Sequence, residues 1–424
     1  MKISKFLVIF CLILSVSFTY SQEIKKTGGF ARLAGMGSNP YIVDPFFNTI
    51  NPAWNAVYNN FVLADIGSAA GSPFSPGGNG QYLSGSFQVG DNWTLGGILA
   101  RTDFNGMSIA LLDPGSNGSS SLSYPGVVST VNGIVGPGSV IPMDNNVEAI
   151  GTYSFGQTTL GLGIAYANTS NNVNPPTGGS TEGSASQLGF NLGVISDLTR
   201  SLKLDIGASF VLPSASFKPD TLNETKASQT IITINGRAFW SLNKNLKLVP
   251  IILFSTESGT IDSGGSSAAS VDMPSFTRFD FGLGLNYQIG DFLIAGGATF
   301  SSYGLTFQAV NNVSPELSYS ETLFPLWNIG VEWNMLEWFV GRLGYIAYTG
   351  SSSDEFPNTV TSKTEVVSTF FAPTQRGVTL GVGFRFGDFS LDATVNEDVL
   401  RQGFNTIGGG GPTFAYLTAS YALP

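Results

Sequence analysis

The sequence contains no histidine, one cysteine, and charged residues at only 11% of its 424 positions. Without histidine, neither Ser-His-Asp nor Cys-His catalysis is available. The common zinc constellations and a histidine general base are missing too. The single cysteine, Cys11, lies in the apolar stretch Phe6–Phe18, which follows a basic start and precedes Thr19-Tyr20-Ser21. That order predicts a signal peptide over residues 1–21, cleaved after about Ser21 and carrying no lipid anchor. Disulfides and thiolate chemistry would then be absent from the mature chain. No apolar run is long enough for a spanning helix. The net charge of −10 is spread thinly and disfavours nucleic acid.

Other chemistries fail on spacing. Gly161-Leu162-Gly163 and Gly282-Leu283-Gly284 are followed by no helix, so they are not phosphate loops. Asp262 and Asp272 match no calcium loop. Carboxylate-only glycosidase chemistry requires a pair, and Asp205, Asp280 and Asp392 fall on separate predicted strands. No enzyme activity, cofactor or metal is expected.

Glycine (53), phenylalanine (32) and tyrosine (14) are plentiful, yet mean hydropathy is barely positive. From about residue 59 the chain repeats one cycle: an alternating segment, a tight turn, another alternating segment, then a long Gly/Ser/Asn-rich loop. Leu202, Leu204, Ile206, Ala208 and Phe210 alternate with Lys203, Asp205, Gly207 and Ser209. Phe279 to Tyr287 and Thr379 to Phe386 behave alike, and a period of two places each set on one face of a strand. Tight turns are predicted near Gly90-Asp91-Asn92, Gly156-Gln157, Asp197 to Arg200, Asn243 to Asn245, Gly290-Asp291, Asn334 to Leu336 and Gly387-Asp388. They use residues that tolerate positive φ. Long loops are predicted near 68–79, 103–144, 169–184, 213–227, 256–274, 304–320, 350–373 and 397–411.

Short turns on one side and long loops on the other predict an all-β fold, a transmembrane antiparallel β-barrel over 59–424. The turn count gives 16 strands. Trp93, Trp240, Trp333 and Trp338 fall at strand ends beside tight turns, as an interfacial ring requires. A soluble sandwich is the architectural alternative; a propeller would repeat a blade motif, and none is present.

Residues 22–58 break the cycle. They hold Ala31-Arg32-Leu33-Ala34-Gly35-Met36-Gly37 and, later, Asn51-Pro52-Ala53-Trp54. This pairing resembles the N-terminal signature of the long-chain fatty-acid transporter (FadL-like) superfamily, particularly its PorV/PorQ-type branch. Pro325 to Trp333, running on to Arg342-Leu343-Gly344-Tyr345, is also similar. The resemblance implies a 14-stranded barrel with residues 22–58 folded inside as a hatch. The chain departs from it in its turn count and in Trp54, which stands where a small residue is usual.

The residues of this segment agree physically. Gly35 and Gly37 allow close backbone approach, Asn51-Pro52 sets a rigid turn, and Phe30, Phe46, Phe47 and Trp54 are large enough to fill a lumen. Gly35, Gly37, Phe46, Phe47, Asn51, Pro52, Ala53 and Trp54 are therefore the expected gating residues. Arg237, Arg278, Asp280, Arg342 and Arg385 are the expected lumen charges. The expected function is hatch-gated passive uptake of hydrophobic or amphipathic small molecules across the outer membrane, with outer-membrane lipid around the barrel. The resemblance also permits a second role, in binding or shuttling proteins exported by type IX secretion. A general porin is the third.

Overall fold

The computed structural model describes residues 27–67, 82–100, 126–141, 143, 146–173, 179–220, 223–264, 270–309, 315–356, 364–371, 377–395 and 414–424. The expected signal peptide, the predicted loops near 68–79 and 397–411, and residues 103–125 of the predicted loop near 103–144 lie outside them. Sixteen strands account for most of the described chain. They are β1 (Phe61–Gly67), β2 (Tyr82–Gln88), β3 (Trp93–Ala100), β4 (Asn146–Phe155), β5 (Thr158–Val173), β6 (Thr181–Thr199), β7 (Leu202–Pro219) and β8 (Thr225–Ser241). There follow β9 (Leu246–Asp262), β10 (Val271–Asp272 with Ser275–Ile289), β11 (Phe292–Phe307), β12 (Leu317–Leu336), β13 (Phe339–Phe356), β14 (Thr364–Phe371 with Val378–Phe386), β15 (Phe389–Val395) and β16 (Phe414–Ala422). Both pieces of β10 pair with β9, and both pieces of β14 pair with β13, so each is one interrupted strand.

Every strand is antiparallel to its sequence neighbours, and β1 pairs with β16 from Phe61↔Ala422 to Gly67↔Tyr416, which closes the ring. A closed ring leaves no unpaired edge, the condition for crossing a bilayer with strands. The outer face is greasy in a way water would not tolerate. Leu192, Phe281, Leu283 and Leu343 are each at least half exposed. Opposite them, Asp205, Asp280, Arg342 and Asp392 point inward and are buried.

All seven tight turns join the strands expected of them, with two displaced. The strand β6 runs on to Thr199 and β12 to Leu336, so those turns lie one to two residues later than the glycine- and asparagine-rich pattern places them. The ring has 16 strands, as the turn count predicts, and not the 14 implied by the family resemblance. Trp93, Trp333 and Trp338 are exposed beside the tight turns. Trp93 packs on Tyr153 at 4.9 Å and Trp333 stacks on Phe292 at 5.1 Å.

The long loops near 169–184, 213–227, 256–274, 304–320 and 350–373 are shorter than expected because the strands overshoot the membrane. On β7 the outward residues are apolar from Leu202 to Leu212, matching the roughly 9–11 residues a tilted strand needs to cross. Beyond that point they turn polar. Ser214 bonds Ser186 at 3.0 Å and Ser216 bonds Ser184 at 3.1 Å, in an outward ladder suited to water. The segment 103–144 is also more than a loop. It contains α3 (Val127–Val135), whose Val127, Val128 and Val131 are buried, and whose neighbouring Ser139 lies against inward Gly183 of β6.

Candidate functional site inside the barrel

Residues 27–58 fold as α1 (Phe30–Gly35), a 3-10 turn (Pro45–Thr49) and α2 (Trp54–Val57). Asp44 caps the 3-10 turn by accepting the Phe46 N–H at 2.9 Å, with Pro45 at its first position. These short pieces have little intrinsic stability, so the barrel wall must hold them. They touch it on every side. Gly35 approaches Gly381 of β14, Met36 approaches Gly330 of β12, Tyr41 lies over Gly282 and Gly284 of β10, and Ala53 lies against Gly161 of β5. All contacted positions lie in the half of each strand nearer the tight turns.

Two polar arrangements anchor the segment. Asp205 on β7 is the first. It accepts from Asn51 Nδ2 at 2.6 Å, from the Trp54 indole N–H at 3.0 Å, and from Arg237 of β8 through Nε at 2.8 Å and Nη2 at 2.5 Å. Arg237 also donates to the carbonyls of Pro40 and Ile42 at 3.0 and 3.1 Å, and lies 3.6 Å over the Phe47 ring. One inward carboxylate therefore holds Asn51 and Trp54 directly and, through Arg237, the backbone at Pro40 and Ile42.

The second is a chain of alternating charge. Asp44 pairs with Arg32 at 3.0 Å, and Arg32 pairs with Glu332 of β12 at 2.7 Å. Glu332 pairs with Arg342 of β13 at 2.7 Å, Arg342 with Asp392 of β15 at 2.7 Å, and Asp392 with Arg385 of β14 at 2.8 Å. Burial pushes the Asp44 carboxyl up to about 6, while Arg32 and the amides of Phe46 and Gly29 pull the other way. The N-terminal end of α1 is held separately: Phe30 N–H donates to Asp65 of β1 at 3.1 Å and Ala31 N–H to Thr418 of β16 at 3.0 Å.

Glycines let this segment sit so close. Gly37 has φ of +74°, and a Cβ there would stand 2.9 Å from Ile329 O and from Tyr345 N. A side chain at Gly284 would enter the Tyr41 ring, whose hydroxyl bonds Thr299 at 2.7 Å. Gly284→Val is therefore expected to cost about 1–3 kcal/mol by overpacking, read as a lower urea midpoint. The lipid-facing Gly151→Val, whose Cβ meets only Leu95 at 3.9 Å, should leave the midpoint unchanged.

Above the segment is a cavity of about 140 Å³. Pro40, Phe47, Ile50 and Asn51 form its floor, and residues of β7 to β12 form its wall. Thr233 and Ser255 bond each other there at 2.8 Å.

The structure thus buries every expected gating residue: Gly35, Phe46, Phe47, Asn51, Pro52, Ala53 and Trp54, with Gly37 packed between β12 and β13. Of the expected lumen charges, Arg237 joins the Asp205 cluster, Arg342 and Arg385 join the charge chain, and Arg278 pairs with Asp280. Sequence reasoning left out Arg32, Asp44, Asp205 and Glu332 as site residues. The inward register of Glu332, one place from outward Trp333, was the available signal. No group of three metal-ligating side chains converges among the described residues.

No protein-family model matches the chain, and no curated protein does. Solved structures do. The Pseudomonas putida toluene transporter TodX is 10% identical over 95% of this chain and 97% of its own, with a TM-score of 0.34. A Pseudomonas aeruginosa FadL homologue is 11% identical over 96% and 100%, with a TM-score of 0.37. The FrpB iron transporter from Neisseria meningitidis is 12% identical over 81% of this chain, with a TM-score of 0.39; the chain spans 62% of its length. Likenesses this distant assign neither ligand nor partner. What the chain's own geometry establishes is a transmembrane β-barrel.

Proposed function

We propose that this barrel resides in an outer membrane and admits small amphipathic molecules, with residues 22–58 as its gate. The observation that carries this reading is the cavity whose floor belongs to the N-terminal segment and whose wall belongs to the barrel. A molecule in that cavity rests directly on Phe47, Ile50 and Asn51, so its arrival acts on the residues that anchor the segment. Those anchors are hydrogen bonds and ion pairs, which exchange for water without breaking a strand pair. The porin reading needs an unobstructed lumen, and the contacts of residues 27–58 around the ring oppose it.

The test is uptake. Expressed in the outer membrane of a host that excludes the hydrophobic dye N-phenyl-1-naphthylamine, the protein should raise the initial rate of dye entry several-fold. Entry at the rate of cells carrying an empty vector, with folded protein present in the membrane, would contradict the reading.

A further inference from the structure

The charges lining the cavity do not balance, and the imbalance selects a ligand. Two guanidiniums and three carboxylates reach it: Arg237, Arg278, Asp205, Asp280 and Glu257. Both guanidiniums are engaged. Arg237 is held twice by Asp205 and by two backbone carbonyls. Arg278 pairs with Asp280, two residues along the same inward face, and lies 5.5 Å from the Tyr303 ring centre. That leaves Glu257 on β9. It is 8% exposed, lines the cavity, and among the described residues has neither a hydrogen bond nor an ion pair.

A carboxylate held this far from water without a partner is costly, and a group that supplies the missing charge recovers that cost. A second anion would do the reverse. It would lie beside Glu257 and find no guanidinium unengaged. Phe276 lies opposite Glu257 across the β9–β10 pair, the hydroxyls of Ser255 and Thr233 follow on the same wall and bond each other, and the apolar side chains of Leu253, Ile251 and Leu326 lie further along.

We propose that this cavity binds cationic amphiphiles, with an ammonium head on Glu257 and an apolar body along Leu253, Ile251 and Leu326, and that it discriminates against fatty carboxylates. The inference deepens the uptake reading and rests on it for its biological use, although binding can be measured without transport. The probes are octylamine, 1-octanol and octanoate, which share a tail and differ in the head. Adducts of each with the full-length mature protein are counted by native mass spectrometry at neutral pH. Octylamine should occupy the barrel at concentrations at least tenfold below those needed for octanoate. Glu257→Gln, which keeps shape and removes charge, should erase that preference, and Glu257→Lys should turn it toward octanoate. The heat-sensitive gel mobility of folded barrels checks that both variants are folded.

If octanoate binds as tightly as octylamine, or the preference survives in Glu257→Gln, the head-group inference is overturned while the cavity and the uptake reading stand. If none of the three probes binds the native protein, the inference and the ligand cavity of the uptake reading fall together.

Discussion

Replacing Asp205 with alanine is expected to release the N-terminal segment from the wall while leaving the barrel closed. Asp205 is 2% exposed and accepts from Asn51, Trp54 and Arg237 together. Its loss leaves the Arg237 guanidinium buried without its anion, a change that costs about 3–5 kcal/mol in buried pairs. The Trp54 indole N–H loses its acceptor as well, while Asn51 Nδ2 keeps the carbonyls of Ile206 and Val194 at 3.1 and 3.2 Å. The strand pairing of β7 with β6 and β8 uses backbone groups and does not depend on this side chain. The variant should therefore keep its heat-sensitive gel mobility but become cleavable by added protease within residues 45–58. The double variant Asp205→Ala/Arg237→Ala should regain part of the protection, because the stranded charge is gone. Protection equal to wild type in the single variant would mean that Asp205 is not the anchor.

The second large effect is expected at Glu332. Its Oε2 accepts from both Arg32 and Arg342 at 2.7 Å, so it is the one carboxylate of the charge chain that bridges the segment to the wall. With Glu332→Ala the two guanidiniums lose their shared anion and repel, although Asp44 and Asp392 remain beside them. Destabilisation of about 3–5 kcal/mol is expected, seen as a lower urea midpoint and as faster hydrogen exchange across residues 30–37. Buried pairs are screened little by salt, so the difference should persist at high ionic strength. Disappearance of the difference in salt would assign the contact to solvent-exposed charges and remove it from the anchor.

Much of this arrangement was legible in the sequence where one physical contrast governs. The alternation of Leu202 to Phe210 reports a wall with lipid on one side and a lumen on the other. The glycine and asparagine turns reported their hairpins, and the aromatics of residues 30–54 reported a segment with something large to fill. Legibility failed where that contrast disappears. Ser184, Ser186, Ser214 and Ser216 continue their strands past the bilayer, where polar residues face out, so the pattern reads as loop. The helix Val127–Val135 carries apolar residues at 127, 128, 131 and 135, a helical spacing that its glycine-flanked setting obscured. Asp205 looked like an ordinary inward charge, and Glu332 did not stand out within the stretch Pro325 to Trp333. Their importance depends on which part of the N-terminal segment lies opposite, and that is decided by tertiary contacts alone.

The account turns on whether residues 22–58 obstruct the lumen. Rings of 16–18 strands leave an aqueous channel when nothing fills them. Planar-bilayer recording of the mature protein beside a variant lacking residues 22–58 tests this directly. The mature protein should hold a closed baseline and the shortened one a steady open current, at least about tenfold larger, as for an unfilled ring of this size. A mature protein that conducts steadily, or a folded shortened barrel that stays closed, would contradict it.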